Sequence, residues 1–385
     1  MINCDLINFQ LDTVLKTTSK RTLANFLIYN FLRSELKKQI MEEKSNCAQV
    51  PISFLLCSSI DFFMQILLNI FPISALRIFA RSHFDKRKMK MASEMAEDIR
   101  NSLIEIIQKS TWLHEKTKMN AIQKVKMMNM KIGHLKELEI PGELDLFHDS
   151  IISSRIDSSF YHLEKISEKF EIEQFMDFVA SHLPILSNND YFEAHAFYQS
   201  WKNRLVVNVP FLDDPFFDPT YPKYAKIANF GEAIAHEMGY GFDSEGRKRD
   251  ETGKKNDWWT SEDSLEYEKR AQCFMNQHNG LHLDGNLTKS TKIDEMIADM
   301  IGVAVAWNAY NKIDFTNEPK IIGFEDYHMD KMFFRLTALN WCGADQGKSK
   351  VFGVNGVFSN MKTFAKAFNC PVGSPMNPEK KCELL

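Results

Sequence analysis

The chain has 385 residues, 44% of them hydrophobic and 12% aromatic, with a formal charge of −4. That length and apolar content can fill the cores of two globular domains. The mixed-sign charge lacks the basic field of a nucleic-acid surface, so no nucleic acid is expected as a partner, and the Lys-rich stretch Lys86 to Lys90 reads as a solvated helix face.

Met1 to Lys20 does not show the basic start, apolar run and small-residue cleavage site of a signal peptide. Apolar residues recur at helical spacing from Thr18 to Gln39 and from Lys86 to Lys131, without Gly or Pro, which predicts helices. The second run places Leu103, Ile106, Ile107 and Leu113 on its buried side. Between the two, Phe54 to Ala80 is apolar but broken by Asp61, Gln65, Asn69 and Pro72. It reads as a buried or irregular insert, with a weak membrane segment as the alternative. Residues 136–160 lose the period and carry Pro141-Gly142 and a Ser-rich patch, which marks a boundary or surface connection. Leu163 to Leu183 returns to helical spacing.

The texture changes after Leu186. Ser187-Asn188-Asn189-Asp190 predicts a turn, and Arg204 to Val209 a short strand ended by Pro210. The loop Asp213 to Pro222 precedes Ala225 to Tyr240, an apolar stretch free of proline. Thr260-Ser261-Glu262-Asp263 matches a capping box ahead of a helix running to about Gln277. These elements describe a predominantly α-helical α+β chain, divided into a helical region over 1–185 and a mixed region over 186–385. Seven cysteines, at 4, 47, 57, 273, 342, 370 and 382, form no C-x-x-C pair of the structural zinc type, and their odd number leaves one unpaired. Cys370 and Cys382 bracket a Pro/Gly-containing loop, which points to an oxidising compartment, and the glycosylation acceptor Asn286-Leu287-Thr288 agrees with it.

The chemistry concentrates at His236-Glu237-Met238-Gly239-Tyr240. On a helix, positions i and i+4 share a face, so in H-E-x-x-H two histidines grip one zinc while the glutamate activates its water. Here a tyrosine stands where the second imidazole belongs. A zinc hydrolase takes three protein ligands and keeps a fourth position for water. His236 supplies one ligand, Glu295 offers a carboxylate as another, and Glu237 is placed as general base. Asp299, at i+4 from Glu295, can bond the far nitrogen of a ligand histidine and fix its tautomer. Carboxylates at this spacing also decorate many solvated helices, so the surrounding motifs decide.

Those motifs are Gly241-Phe242-Asp243, Asp257-Trp258-Trp259-Thr260, Glu295 to Asp299 ahead of Gly302, and Gly373-Ser374-Pro375-Met376-Asn377-Pro378 with Lys381-Cys382. Together they resemble the neprilysin and endothelin-converting-enzyme family of zinc metallopeptidases. Ala196-Phe197-Tyr198 is similar to that family's N-A-x-Y substrate strand, and Pro215-Phe216-Phe217 to its Pro-Phe-Phe loop. Arg21-Thr22-Leu23-Ala24-Asn25 with Trp112 and Thr117-Lys118 resembles its helical domain. The resemblance spans nearly the whole chain apart from an insert near residues 52–72. It implies a thermolysin-like zincin peptidase domain over 186–385, part of a helical domain over 1–185, and zinc as the cofactor. Peptide substrates cleaved before hydrophobic residues, an extracellular or cell-surface location and a Cys273–Cys382 disulfide are implied as well. The family's anchor precedes the segment that matches Met1, so membrane association is expected only through such a region. Its cysteines are the expected partners of Cys47, Cys342 and Cys370.

Several positions depart from the family pattern. Tyr240 exchanges a neutral imidazole for a phenol with an ordinary pKa of about 10, which is costly to ionise. Altering a group that merely bonds a ligand weakens metal affinity roughly 10- to 100-fold, and losing a ligand should cost at least as much, so low zinc occupancy is expected. Gly239 is expected to soften the metal-site helix by about 1 kcal/mol. His195 replaces the asparagine that holds the substrate backbone, while Gly347 and Gly353 fall on the oxyanion-donating histidine and the substrate-anchoring arginine. Losing one such oxyanion donor costs about 10²- to 10³-fold in rate. His195 is also weighed as a substitute ligand, against capping a sheet edge or bonding Tyr240; His278 and His282 read as surface residues. The family's terminal C-x-x-W becomes Cys382-Glu383-Leu384-Leu385, which removes a packing aromatic. The expected function is a neprilysin-like peptidase homologue with impaired catalysis. Its alternatives are an active metalloendopeptidase with an altered zinc site, completed by a Tyr240 phenolate or His195, and a non-catalytic peptide-binding or decoy protein.

Overall fold

The computed structural model describes residues 86–133, 194–279, 289–341 and 348–385. The expectations for Thr18 to Gln39, Phe54 to Ala80, residues 136–160, Leu163 to Leu183, the turn Ser187 to Asp190, Asn286, His282 and Gly347 lie outside them, as does the side chain of His278. The chain divides into two compact units, Met1–Ala75 with Ile140–Asn189, and Leu76–Glu139 with Asp190–Leu385; the described residues all belong to the second. None of their helices is long and apolar enough to cross a membrane.

Helix α1, Lys86–Lys109, buries Ala92, Ala96, Ile99, Leu103 and Ile107, a stripe at three- and four-residue spacing that faces the core. The single helix expected from Lys86 to Lys131 is not continuous. It breaks before α2, Glu115–Met127, and gives way to the strand β1, Asn129–Ile132. Bonds to distant residues make the break: Trp112 Nε1 donates to the Leu384 carbonyl at 2.9 Å, and the His114 ring nitrogen Nδ1 lies 2.8 Å from Asp263 Oδ1. Lys88 also departs from the expected solvated face, because it is buried and reaches Asp213 at 2.6 Å.

Strands β2, Ala196–Gln199, and β3, Arg204–Val207, pair antiparallel, and β1 joins β3 in parallel, giving the order β1-β3-β2. The β2–β3 turn places Asn203 at φ 44°, a left-handed conformation that asparagine tolerates better than most residues. Its buried amide accepts from Tyr198 Oη and donates to the carbonyls of Lys124 and Glu251, so the turn is fixed by bonds to its own strand β2 and to two other segments.

Lys124, on α2, is 1% exposed, and its Nζ lies 2.6–2.9 Å from the carbonyls of Gly241, Gly246 and Arg249. Burial presses its pKa down to about 7, yet three acceptors match the three donors of an ammonium. This cation ties down the loop that leaves the site. Lys124→Met leaves those carbonyls unpaired at a cost of about 1–3 kcal/mol for each buried group. The expected result in urea denaturation is a loss of roughly 3 kcal/mol or more, and an unchanged midpoint would count against this role.

After α3, Lys223–Lys226, a wide helical turn over Ile227–Gly231 leads into α4, Glu232–Gly239. Helix α5, Ser261–Asn279, follows Thr260, whose Oγ1 accepts from the Asp263 amide at 3.1 Å. Only that half of the capping box forms, because the Asp263 carboxylate bonds the amide and ring of His114. Helix α6, Lys289–Tyr310, packs on α4. A Cβ at Gly239 would lie 2.9 Å from Ala298 Cα, and one at Gly302 would lie 3.1 Å from His236 Cα. Glycine therefore lets the two backbones touch at both places. Gly239 is also the last residue of α4, so the interior helix cost expected for it does not apply in full. Gly239→Ala should cost about 1–3 kcal/mol through overpacking, read as a lowered unfolding midpoint. Helices α7, Met329–Leu339, α8, Lys348–Asn360, and α9, Lys362–Ala367, complete the unit.

Candidate functional site

Helix α4 and the residue that follows it carry His236, Glu237 and Tyr240; α6 carries Glu295 and Asp299. Tyr240 keeps helical angles, φ −63° and ψ −14°, so it shares a face with His236 as the motif requires. His236 Nδ1 lies 2.8 Å from Asp299 Oδ1, the pairing expected from the spacing. On the other side of the ring, Nε2 lies 3.1 Å from the Tyr240 hydroxyl. That hydroxyl donates to Glu295 Oε1 at 2.7 Å, while Glu295 Oε2 is 4.0 Å from Nε2. The structure thus brings His236, Tyr240, Glu295 and Asp299 together.

The electrostatics fit this chain of bonds. Burial opposes charge on His236, but the bond and charge of Asp299, with Glu237 and Glu232 nearby, lift its pKa to about 10. An imidazolium has a proton on each nitrogen, so Nδ1–H points to Asp299 and Nε2–H to the phenol oxygen. Burial, together with the charge and bond of Glu295, pushes the Tyr240 phenol far above its ordinary value. Burial also lifts Glu237 to about 7, against the pull of His236 and of a bond from the Tyr198 amide.

Sequence reasoning missed Glu232. It lies one turn before His236, is 2% exposed, and burial raises its pKa to about 8. Asn340 Nδ2 donates to its Oε2 at 2.6 Å, and its Oε1 has no partner. One donor atom each from Glu232, His236 and Asp299 lie within 4.8 Å of one another. The signal was a carboxylate at i−4 from the motif histidine inside an otherwise apolar run.

Strand β2 borders the site. Ala196 is buried in the core, and Tyr198 Oη is turned to Asn203. The His195 carbonyl accepts from the Asn208 amide at 3.0 Å, which closes the end of the β2–β3 pair. Its ring lies 6.0 Å from Phe197, and the Tyr240 hydroxyl bonds His236 and Glu295 rather than His195. A cleft of about 480 Å³ opens here, lined by His195, Phe197, Tyr198, Glu237, Tyr240 and Glu295 among others. Gly353 falls on α8. Away from the cleft, Cys273 and Cys382 form a disulfide, and among the described residues Cys370 carries a free thiol.

Two models of peptidase family M13 match the chain, one over residues 195–384 and the other over residues 8–135. The chain belongs to peptidase family M13. Neprilysin-11 of Caenorhabditis elegans is 26% identical to it over 414 residues, covering 99% of this chain and 48% of that protein. Neprilysin-2 of Drosophila melanogaster is 28% identical over 433 residues, covering 100% of this chain and 54% of that protein. This M13 chain thus spans about half the length of the relatives it matches. Among solved structures, a galactose-containing glycoprotein complex of Haemonchus matches with a TM-score of 0.71 at 21% identity, covering 88% of this chain and 56% of that one. PEPO from Lactobacillus rhamnosis HN001 matches with a TM-score of 0.66 at 19% identity, covering 83% and 50%. The likeness shows the fold, a predominantly helical α+β zincin architecture of the M13 type.

Proposed function

We propose that this chain is an M13 peptidase homologue in which a hydrogen-bonded tyrosine has replaced the metal-holding corner, leaving a peptide-sized cleft with little hydrolytic power. The observation that carries this reading is the Tyr240 hydroxyl, which donates a hydrogen bond to Glu295 Oε1 and faces His236 Nε2. A zinc centre needs three donor atoms with lone pairs directed at the ion, at about 2.0–2.3 Å. Here Nε2 is turned to the phenol oxygen, Glu295 Oε1 already accepts a hydrogen bond, and the phenol is held in its protonated form. The donor set of His236, Tyr240 and Glu295 does not fit the family's ion. Glu237 keeps the general-base position on α4, where its carboxylate accepts a bond from the Tyr198 amide. The glycines at 347 and 353 and His195 support the same reading, since none supplies the side chain the family uses at its position.

The resemblance further supports a helical region over 1–185, a peptidase region over 186–385, peptide ligands, and action at or outside the cell surface. The test is metal analysis of the purified chain together with hydrolysis of a quenched fluorescent peptide. Zinc well below one equivalent, and turnover that a chelator does not change, are expected. One equivalent of zinc with chelator-sensitive cleavage would overturn the reading.

A further inference from the structure

We infer that a peptide held in the cleft is selected for a carboxylate towards one end, which Arg204 and Lys202 receive beside strand β2; this rests on the peptide-binding part of the reading above. Leu205 and Val207 are fully buried, so β3 turns them to the core and turns Arg204 and Val206 to the opposite face of the sheet. The register sets Gln199 beside Arg204 and Phe197 beside Val206. Phe197 lines the cleft, and so does Ser200, which opens the short turn that carries Lys202. Phe197 and Arg204 are thus diagonal neighbours on one face, about 7–8 Å apart, a gap that a long side chain spans.

Among the described residues neither cation has a hydrogen bond or an ion pair. Arg204 is partly buried; its Nε is buried without an acceptor, whereas its terminal nitrogens are not buried. Arg100, Arg247 and Arg249 also leave Nε unbonded, but each is held through a terminal nitrogen, by the Met128 carbonyl, Glu268 and the Gly253 carbonyl in turn. Burial first, then the charges of Arg204 and Lys131, hold the Lys202 pKa below its ordinary value, and no carboxylate acts against them. The same segment leaves Gln199 Oε1 and Trp201 Nε1 buried without partners, so it is short of hydrogen bonds as a whole. Buried polar groups are nearly always paired, and a guanidinium left unpaired beside an ammonium calls for an anion that arrives with a ligand. The adjoining cleft settles which anion: a peptide brings carboxylates, on a Glu or Asp side chain or at its own C-terminus. The planar fork of Arg204 suits a carboxylate, and Lys202 adds a point charge beside it.

The experiment uses the full chain, treated with chelator, and blocked fluorescent hexapeptides of one Leu- and Gln-containing host sequence. A single Glu is placed at each position in turn, and one further peptide is the host with a free C-terminal carboxylate. Anisotropy titration at low salt should show one placed Glu, or two adjacent ones, or the free terminus, binding at least about tenfold more tightly than the host, with the gain shrinking as salt screens it. A gain from a placed Glu identifies a side-chain carboxylate as the ligand, and a gain from the free end identifies the terminal one. In Arg204→Gln the gain should fall below about threefold while the host binds as before. Lys202→Gln, at a turn position whose side chain makes no bond, should lower the gain as well and keeps the test open if the first variant does not fold. No gain at any position or at the terminus, an equal gain at every position, no binding of any peptide, or a gain that a folded variant keeps in full would overturn this inference alone. One equivalent of zinc in the chain as purified would overturn the reading on which it rests.

Discussion

Tyr240→His is expected to raise zinc affinity by at least about 100-fold while leaving peptide cleavage weak. In the parent chain the phenol bonds two other groups of the site, His236 and Glu295, and keeps both engaged. An imidazole at the same position shares the helix face of His236, offers a lone pair without ionising, and frees Glu295 from the donated hydrogen bond. The ion would then bridge α4 and α6, so zinc should raise the thermal midpoint of the variant. At a free concentration 100 times its Kd, it would add about 2.7 kcal/mol. The parent's midpoint should not respond to zinc or to chelator. Tyr240→Phe separates the two roles, because it removes the hydroxyl without adding a ligand. It leaves His236 Nε2–H and Glu295 without their shared partner, at a cost of about 1–3 kcal/mol, and gains no response to metal. Cleavage should stay weak in Tyr240→His if, as proposed, Gly347 stands where the family has its oxyanion donor, since losing one such donor costs about 10²- to 10³-fold. Calorimetric titration that finds no tighter zinc binding in Tyr240→His would remove the basis of the proposed function.

Spacing within one helix carried much of the site into the sequence. Tyr240 falls on the face of His236 because four residues make about one turn, and Asp299 reaches the His236 ring from α6, as its place in the Glu295 to Asp299 run suggested. The helical character followed from the same periodicity, while the zincin-like peptidase fold came from the resemblance. What escaped depends on partners far away in sequence. The helix expected over Lys86 to Lys131 ends at Lys109, where Trp112 and His114 turn to residues 272 and 149 positions away. Residues Asn129–Ile132 carry no alternation strong enough to announce a strand, and they become one by pairing with β3. Gly239 read as a weak point in a helix, whereas its contact with Ala298 makes it the place where α4 meets α6. Glu232 was passed over because a lone carboxylate in an apolar run says nothing of Asn340, 108 positions later. Local pattern found which residues share a face; the crossing of α4 and α6 decided what those faces bind.

Replacing both Cys273 and Cys382 by alanine is expected to lower the unfolding free energy by about 2–5 kcal/mol. The bridge spans 109 residues, and closing a loop of about 100 residues removes roughly 4.7 kcal/mol of unfolded-chain entropy in the simplest treatment. The native side adds a further term, because the bridge anchors a C-terminal segment that buries Leu384 in the core and is tied to the rest of the unit by several hydrogen bonds. The Cys382 amide donates to Asn360 Oδ1 at 2.7 Å, and Asn360 and Gln277 exchange side-chain bonds at 2.8 and 3.0 Å. Trp112 reaches the Leu384 carbonyl, and Arg270 reaches that of Glu383. Each bond is worth about 1 kcal/mol while the segment stays in place, and those to Cys382, Glu383 and Leu384 are lost together when it leaves. Reduction should therefore free this segment before the rest of the unit opens, with amide exchange at Cys382 and Leu384 rising ahead of exchange in α4 and α6. Urea curves of the oxidised chain, the reduced chain and the double variant provide the measurement. If reduction leaves the midpoint and the exchange of these amides unchanged, the contacts of Asn360, Trp112 and Arg270 hold the segment unaided and the bridge is redundant.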